Sequence, residues 1–127
     1  MIIFIDDFPE GYGGAEFVNK TFCDIFKIPE IKAARDFEVF DPNIMYVIGN
    51  TSTMSPRGLV NLSKHPNYII LEHDYKCVQS RHPWRFEDSI IPEEYKVNEN
   101  VYANAKAIFT QTDDHTEVFR KNNIKGN

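Results

Sequence analysis

This 127-residue sequence has only two cysteines, no long apolar run and no excess of basic residues. Cys23 and Cys77 lack the spacing of a disulfide framework, so we expect a reduced, cytoplasmic protein. The apolar stretch 1–5 is too short for a signal peptide or a membrane span. A net charge of −5 argues against a general nucleic-acid binder that neutralises phosphates.

Repeats, low-complexity segments and linkers are also missing from the sequence. Hydrophobic residues make up 42% and aromatic residues 13%, which is enough for a packed core rather than a disordered tail. We therefore expect one domain that spans residues 1–127.

Strand and helix patterns alternate along the chain. Uninterrupted apolar runs predict buried strands at Met1–Ile5, Ile44–Ile48 and Tyr68–Leu71, with a further short strand at Ala107–Thr110. Periodicity and capping residues predict helices at Gly14–Lys27, Ser55–His65 and 99–106, and a last helix that opens with a capping box at Asp114. The alternation predicts an α/β fold, a single Rossmann-like three-layer domain with a mainly parallel sheet.

Two segments are harder to interpret. Residues 31–39 have no clear pattern, although Phe37–Phe40 alternates like a short strand. Residues 75–98 show little periodicity, and loops of that length in a compact domain are usually functional or mobile.

Polar residues gather after each predicted strand. These groups are Asp6-Asp7, Asn50-Thr51-Ser52, His73-Asp74 and Gln111-Thr112-Asp113. Because the carboxyl ends of parallel strands share one edge of a sheet, we expect these side chains to converge where α/β proteins bind ligands.

A glycine-rich turn follows the first strand. Gly11, Gly13 and Gly14 would let the backbone approach a phosphate or sugar closely, and Glu16 lies in the first helical turn. The alternative is a tight strand–helix connection, with Glu16 placed favourably near the helix dipole. The spacing matches neither a dinucleotide fingerprint nor a Walker sequence.

Two acidic residues end the first strand. Asp6 and Asp7 fit either a metal or acid/base pair, or a polar strand end in which Asp7 fixes the turn.

The histidines differ in their placement. His73, directly after a buried strand, suits a hydrogen bond to a ligand hydroxyl or proton transfer, and a structural role is the alternative. His65 and His115 fall on helical segments and look like surface residues. Zinc is not expected, because His73, Cys77 and His82 have no second closely spaced pair.

The loop 75–86 is basic in an acidic chain. It carries Lys76, Arg81 and Arg85 without an acidic residue, and aromatic residues that include Trp84 are interleaved with them. Stacking and ion pairing would suit a sugar or a phosphorylated acceptor. A loop that covers the core, with Trp84 turned inward, is the alternative.

Several of these segments resemble one family. Gly13-Gly14-Ala15-Glu16 after a first strand is similar to the Gly-Gly-Ala-Glu element of many retaining GT-B glycosyltransferases of family four. His73 follows a strand where these enzymes often have a histidine near the donor sugar. The segment 105–112 resembles their Ala-Asp-Ala-Ile-Ile-Thr-x-Ser strand, with Thr112 in place of the serine, and 119–124 is similar to the following helix end.

The resemblance implies the amino-terminal half of a two-domain sugar transferase, without the carboxy-terminal nucleotide-sugar domain. Gly13, Gly14 and Glu16 would then bind the nucleotide-diphosphate sugar donor, with the glycine loop at its phosphates, and His73 would act at the donor sugar. Lys76, Arg81, Trp84 and Arg85 would hold a carbohydrate or other hydroxyl acceptor, an inference from local chemistry alone. No metal or cofactor is implied, and the isolated chain is expected to be inactive without a second domain or subunit.

Two other functions stay open. A non-catalytic sugar- or nucleotide-binding module needs nothing that the chain lacks. A receiver-like signalling domain would explain Asp6-Asp7, but the aspartate and lysine that such a domain needs are replaced by Asn50 and Gln111 at the corresponding strand ends.

Overall fold

The computed structural model describes residues 1–11 and 13–124. Its strands are β1 (Ile2–Asp6), β2 (Ile31–Ala33), β3 (Met45–Ile48), β4 (Tyr68–Leu71) and β5 (Ile108–Phe109). Its α-helices are α1 (Gly14–Phe26), α2 (Pro56–Ser63), α3 (Glu99–Asn104) and α4 (Asp113–Lys121).

The strands form one sheet in the order β2-β1-β3-β4-β5, and every pair is parallel. This confirms the predicted α/β class and the Rossmann-like architecture. The chain runs outward from β1 to β2 and then returns to the other side of β1 to form β3. The carboxyl ends of β1 and β3 therefore lie at the point where the strand order reverses, the usual ligand position in open α/β sheets.

Alternate residues of β1, β3 and β4 enter two separate cores. The larger core joins one sheet face to α2, α3 and α4 through side chains that include Ile48, Leu62, Tyr102 and Phe119. The smaller core joins the other face to α1, where Phe4 and Val47 pack with Cys23 and Phe22. Helices on both faces give the three layers that a buried parallel sheet requires.

Val18, Phe22, Ile25 and Phe26 form an apolar stripe on α1, and only part of this stripe is buried. Phe22 packs edge-on against Phe4, with ring centroids 5.9 Å apart. The other members of the stripe are exposed: Val18, Ile25 and Phe26. The buried positions of the helix are Asn19 and Cys23. Helical periodicity located an apolar side of α1 but did not show whether another element covers it.

The second strand lies earlier than the alternating pattern indicated. β2 pairs with β1 from Ile31 to Ala33, and Phe37–Phe40 is irregular. Phe37 and Phe40 instead stack on each other and contact Tyr46 with their edges. Their alternation reflects this aromatic packing rather than a place in the sheet.

Capping residues set two helix starts. Ser55 caps α2 as predicted, with its Oγ accepting from the Gly58 N–H at 3.0 Å and Pro56 in the first turn. The N-cap of α4 lies two residues before the predicted cap Asp114, because the Thr112 hydroxyl accepts from the His115 N–H at 3.1 Å. The Thr112 side chain satisfies a free backbone N–H group at the start of the helix, which is the role predicted for Asp114.

The long segment 75–98 contains three short 3₁₀ turns, and backbone hydrogen bonds join its beginning to its end. The Val97 N–H donates to the Cys77 carbonyl at 2.9 Å, and the Gln79 N–H donates to the Tyr95 carbonyl at 2.9 Å. The segment thus forms an ordered cover over the carboxyl side of β4 rather than a free loop.

Gly58 provides a test of close packing between α2 and the segment before β3. A Cβ at this position would lie 2.5 Å from the Phe37 carbonyl oxygen and 2.7 Å from Met54 Cγ. Gly58→Ala should therefore lower the free energy of unfolding by about 1–3 kcal/mol in urea denaturation. Gly14→Ala is the matched control, because nothing lies within 4 Å of its added Cβ. Equal stability of the two variants would contradict this packing.

Candidate functional site

Polar side chains from four strand ends and one helix meet at the carboxyl edge of the sheet, as the sequence predicted. They are Asp6 at the end of β1 and Asp7 after it, Asn50 after β3, His73 after β4, Gln111 after β5 and Asn19 from α1. Hydrogen bonds join Asp6 to Asn50 across the switch point, and join His73 to Gln111 and Asn19 beside it.

Asp7 fastens the loop after β3 to the end of β1. One carboxylate oxygen accepts from the Ser52 N–H at 3.0 Å, and the other accepts from the Thr53 N–H and hydroxyl, both at 2.9 Å. With these three donors and a buried position, Asp7 has a structural role at the neighbouring loop.

Asp6 lies deeper, beside Gly49. Its Oδ1 accepts from Asn50 Nδ2 at 2.7 Å. Burial raises the pKa of the Asp6 carboxyl above its ordinary value, and the Asn50 hydrogen bond opposes part of that rise. A Cβ on Gly49 would lie 2.9 Å from Asp6 Oδ1 and 3.1 Å from Phe4 Cε1, so glycine is needed where β3 passes this carboxyl.

Asn19 is a site residue that the sequence analysis missed. It is fully buried on the inner side of α1, and its Oδ1 accepts from His73 Nε2 at 2.6 Å. Its Nδ2 has no hydrogen-bond partner among residues 1–11 and 13–124. A Cβ on Gly49 would lie 3.3 Å from this nitrogen, which places the unpaired donor next to the Asp6 side chain. An asparagine at the centre of an otherwise apolar helix side was the available signal.

His73 is held from both sides. Its Nε2–H donates to Asn19, while Nδ1 accepts from Gln111 Nε2 at 2.6 Å. This pattern fixes the neutral imidazole with the proton on Nε2. Burial lowers the pKa of His73, and the nearby Lys76 ammonium lowers it further. Because Gln111 is exposed and Asn19 is buried, Gln111 is the partner that a ligand can replace.

The glycine turn folds around the Glu16 side chain. A Cβ at Gly11 would lie 2.7 Å from Glu16 Cγ, and one at Gly13 would lie 2.5 Å from Glu16 Oε2. Gly13 is the N-cap of α1 without a side-chain cap, and Gly14 faces open space. The turn thus leaves the backbone at the start of the helix accessible, with a carboxylate next to it.

One guanidinium of the basic loop, that of Arg81, lies at the carboxyl edge of the sheet. Arg81 Nη2 donates to Ser52 Oγ at 2.8 Å, and its Nη1 lies 3.9 Å from Asp74 Oδ2. Trp84 and Arg85 lie in an exposed 3₁₀ turn farther along the chain. Trp84 is 64% exposed and packs against His82 and Tyr75 with centroid distances of 4.8 and 6.1 Å, so it is not turned inward.

Lys76 does not join this exposed group. Its ammonium is buried and forms an ion pair with the fully buried Glu72, which also accepts from the Tyr102 hydroxyl. Next to them, burial and the Glu72 charge raise the pKa of the Cys77 thiol to about 12. The predicted acceptor residues are therefore divided between the sheet edge, the 3₁₀ turn and the core, and the Glu72 partner was not foreseen.

His65 and His115 are buried rather than on the surface, which corrects the sequence-based expectation. His65 Nε2 contacts the Asp41 carbonyl at 2.9 Å, and its Nδ1 accepts from the Asn67 N–H at 3.0 Å. His115 Nε2 contacts the Asp74 carbonyl at 2.9 Å. Each satisfied imidazole ties two segments together, a role that helical spacing alone does not reveal.

An open cleft of about 750 Å³ lies beside the glycine turn, at the carboxyl ends of β1 and β2. Phe8 and Gly11 form one wall, and Ala33, Arg35 and Phe37 are among the residues of the other. The cleft reaches the glycine turn at Gly11, but neither α1 nor His73 is among its described lining residues.

Two kinds of feature are absent from the described part of the chain. Residues 1–11 and 13–124 contain no group of three or more His, Cys, Asp or Glu side chains placed to hold a metal ion. No helix in those same ranges has the length and apolar character needed to cross a membrane.

Comparison with known proteins gave no match to a family model, a curated protein or a solved structure. The fold and the site define a Rossmann-like α/β domain with a polar cluster at the carboxyl edge of its sheet. Any finer assignment depends on the chemistry of that cluster.

Removal of the Asp7 carboxylate tests its role at the edge. Asp7→Ala should lower the free energy of unfolding by about 2–4 kcal/mol, because two backbone N–H groups and a hydroxyl lose a charged acceptor. Asp74→Ala is the control, since the 3.9 Å ion pair of Asp74 is half exposed and should contribute less than about 1 kcal/mol. Chemical denaturation measures both values, and similar losses would contradict the assignment.

Acid should weaken the folded protein through His73. Its pKa in the folded state lies below the ordinary 6.5, so the unfolded state takes up the proton first as the pH falls. The free energy of unfolding should therefore decrease below about pH 6.5, and this decrease should be smaller in His73→Gln. An NMR titration of the imidazole measures the pKa directly, and a value above 6.5 would contradict the geometry described.

Proposed function

We propose that this chain is the amino-terminal half of a retaining GT-B glycosyltransferase. It would transfer a sugar from a nucleotide-diphosphate donor to a hydroxyl acceptor once a second domain completes the site. The observation that carries the proposal is the neutral His73, held between Asn19 and Gln111 at the carboxyl edge that the glycine turn also borders.

His73 is suited to a sugar hydroxyl. Its Nδ1 is a hydrogen-bond acceptor whose present partner is the exposed amide of Gln111. A donor-sugar hydroxyl can take the place of that amide without any change of tautomer. Asn19 holds the opposite nitrogen from a buried position and so keeps the ring oriented during the exchange.

The start of α1 is suited to the donor diphosphate. Gly13 and Gly14 expose backbone N–H groups at the positive end of a 13-residue helix, where phosphate charge is stabilised. The same donors would stabilise charge that develops on the leaving diphosphate. Glu16 would accept hydrogen bonds from donor hydroxyls, since its carboxylate lies on the inner side of the turn.

The acceptor would lie on the exposed side of the basic loop. Arg81 is fixed at the sheet edge by Ser52, and Trp84 presents an open ring face on which a sugar can stack. Arg85 adds an exposed charge beside that ring. Lys76 is left out of this role, because Glu72 holds its ammonium in the core.

Calorimetry with a panel of nucleotide-diphosphate sugars tests the donor role. We expect binding to the isolated chain without hydrolysis, because the second domain would supply part of the catalytic site. Gly14→Val should weaken binding at least about tenfold by blocking backbone approach, and His73→Ala should weaken it through the lost sugar contact. Gly14→Ala is the matched control for folding, because its Cβ meets nothing within 4 Å.

The outcomes separate the alternatives. No binding of any nucleotide sugar, or equal affinity of Gly14→Val and wild type, would contradict the donor role. Turnover by the 127 residues alone would contradict the need for a second domain. Retained donor binding with no transfer in a protein that includes a second domain would favour a non-catalytic module.

A further inference from the structure

The two sheet faces are covered unequally. Three helices pack on the face of the larger core, whereas the helical residues of the smaller core all belong to α1. α1 covers β1 and β3 through Phe22 and Cys23. Ile69 and Leu71 of β4 border this core and are half-buried, and Phe109 of β5 pairs with Leu71 farther out. Leu71 and Phe109 are paired neighbours in the register, and Phe109 is 47% exposed. We call these three residues the β4–β5 trough.

The outer side of α1 is also apolar. Phe17, Thr21 and Ile25 are spaced by four residues and form one ridge on the helix, which we call the α1 ridge. Phe17 is 71% and Ile25 is 68% exposed. The Thr21 hydroxyl donates to the Phe17 carbonyl at 3.0 Å within the helix, so its methyl group remains for outside contacts.

We propose that this face is an interface between two copies of the chain, with the α1 ridge of each copy lying in the β4–β5 trough of the other. The trough has the width for one helix. Two neighbouring strands, each about 4.8 Å wide, together span about 10 Å, which matches the 8–10 Å between the axes of packed helices. The α1 ridge and the β4–β5 trough lie on the same side of the sheet, so a two-fold axis places the ridge of each copy against the trough of the other. Each sheet then gains the second helix that a parallel sheet needs on that face.

The apolar area agrees with a dimer of moderate size. The exposed parts of Phe17 and Ile25 in the ridge, of Val18 and Phe26 beside the ridge on α1, and of Phe109 in the trough amount to roughly 500 Å² per copy, since a large side chain presents about 150–250 Å² in full. Two copies together would bury about 1,000 Å² from these residues alone, which reaches the lower bound of specific interfaces before any polar rim is counted.

Sedimentation equilibrium over a roughly hundredfold range of concentration tests the assembly. The wild type should show a monomer–dimer equilibrium, and Phe17→Ser/Ile25→Ser should raise the dissociation constant at least about tenfold. Val60→Ser is the matched control, because Val60 is an exposed apolar residue on α2, across the sheet. Circular dichroism checks that all variants are folded. A monomer at every concentration, or a dimer indifferent to the ridge substitutions, would overturn the proposal.

Cross-linking tests the arrangement itself. Thr21→Cys protein mixed with Phe109→Cys protein should give a mixed covalent dimer with a short bismaleimide, whereas Val60→Cys mixed with Phe109→Cys should not. The native thiols do not compete, because Cys23 and Cys77 are both buried. A dimer that yields no Thr21–Phe109 product would show that another face forms the contact and would overturn the proposal. Neither experiment depends on a nucleotide sugar, so its failure would leave the proposed function untouched.

Discussion

Parallel pairing of β1 with β3 is the constraint on which the candidate site depends. Ile5 lies opposite Ile48, so the residues that follow, Asp6 and Gly49, meet at the same level of the sheet. Asp6 can then bond Asn50, and Asp7 can hold the next loop. A shift of this register by one residue would turn both carboxyls to the opposite faces of the sheet. The apolar residues of these strands therefore decide where the polar chemistry lies.

Buried polar groups at the carboxyl edge of the sheet lower the stability of the folded protein in a way that a purely structural strand end would avoid. Asn19 Nδ2 has no hydrogen-bond partner in the part of the chain that the structure describes, and burial raises the pKa of the Asp6 carboxyl. An unpaired buried donor costs about 1–3 kcal/mol. The Glu72–Lys76 ion pair, by contrast, lies in the core, where Glu72 also accepts a hydrogen bond from the Tyr102 hydroxyl. The unpaired amide donor of Asn19 thus lies at the edge with ligand access, whereas the buried charges of Glu72 and Lys76 compensate each other away from it.

Sequence patterns predicted most of the fold because apolar runs and caps are local signals. The strands β1, β3 and β4 and the meeting of Asp6, Asn50, His73 and Gln111 follow from them. β2 is only three residues long, and the carbonyl groups that His65 and His115 contact are 24 and 41 residues away in the sequence. Glu72 is only four residues from Lys76, but their spacing does not show that both side chains are buried. Such contacts depend on which helix side is covered, and composition does not contain that information. Asn19 was missed for the same reason.

The hydrogen bonds of His73 make the donor or acceptor character of the sheet edge depend on a single proton. In the neutral ring, Nδ1 can only accept, so hydroxyl and amide N–H groups fit beside it and bare oxygen acceptors do not. Protonation turns Nδ1 into a donor and reverses that preference, and Gln111 must then present its carbonyl oxygen instead of its amino group. Because the pKa of His73 is lowered, this reversal is confined to acidic conditions. Near neutral pH the edge thus discriminates between ligands by the direction of a hydrogen bond rather than by charge.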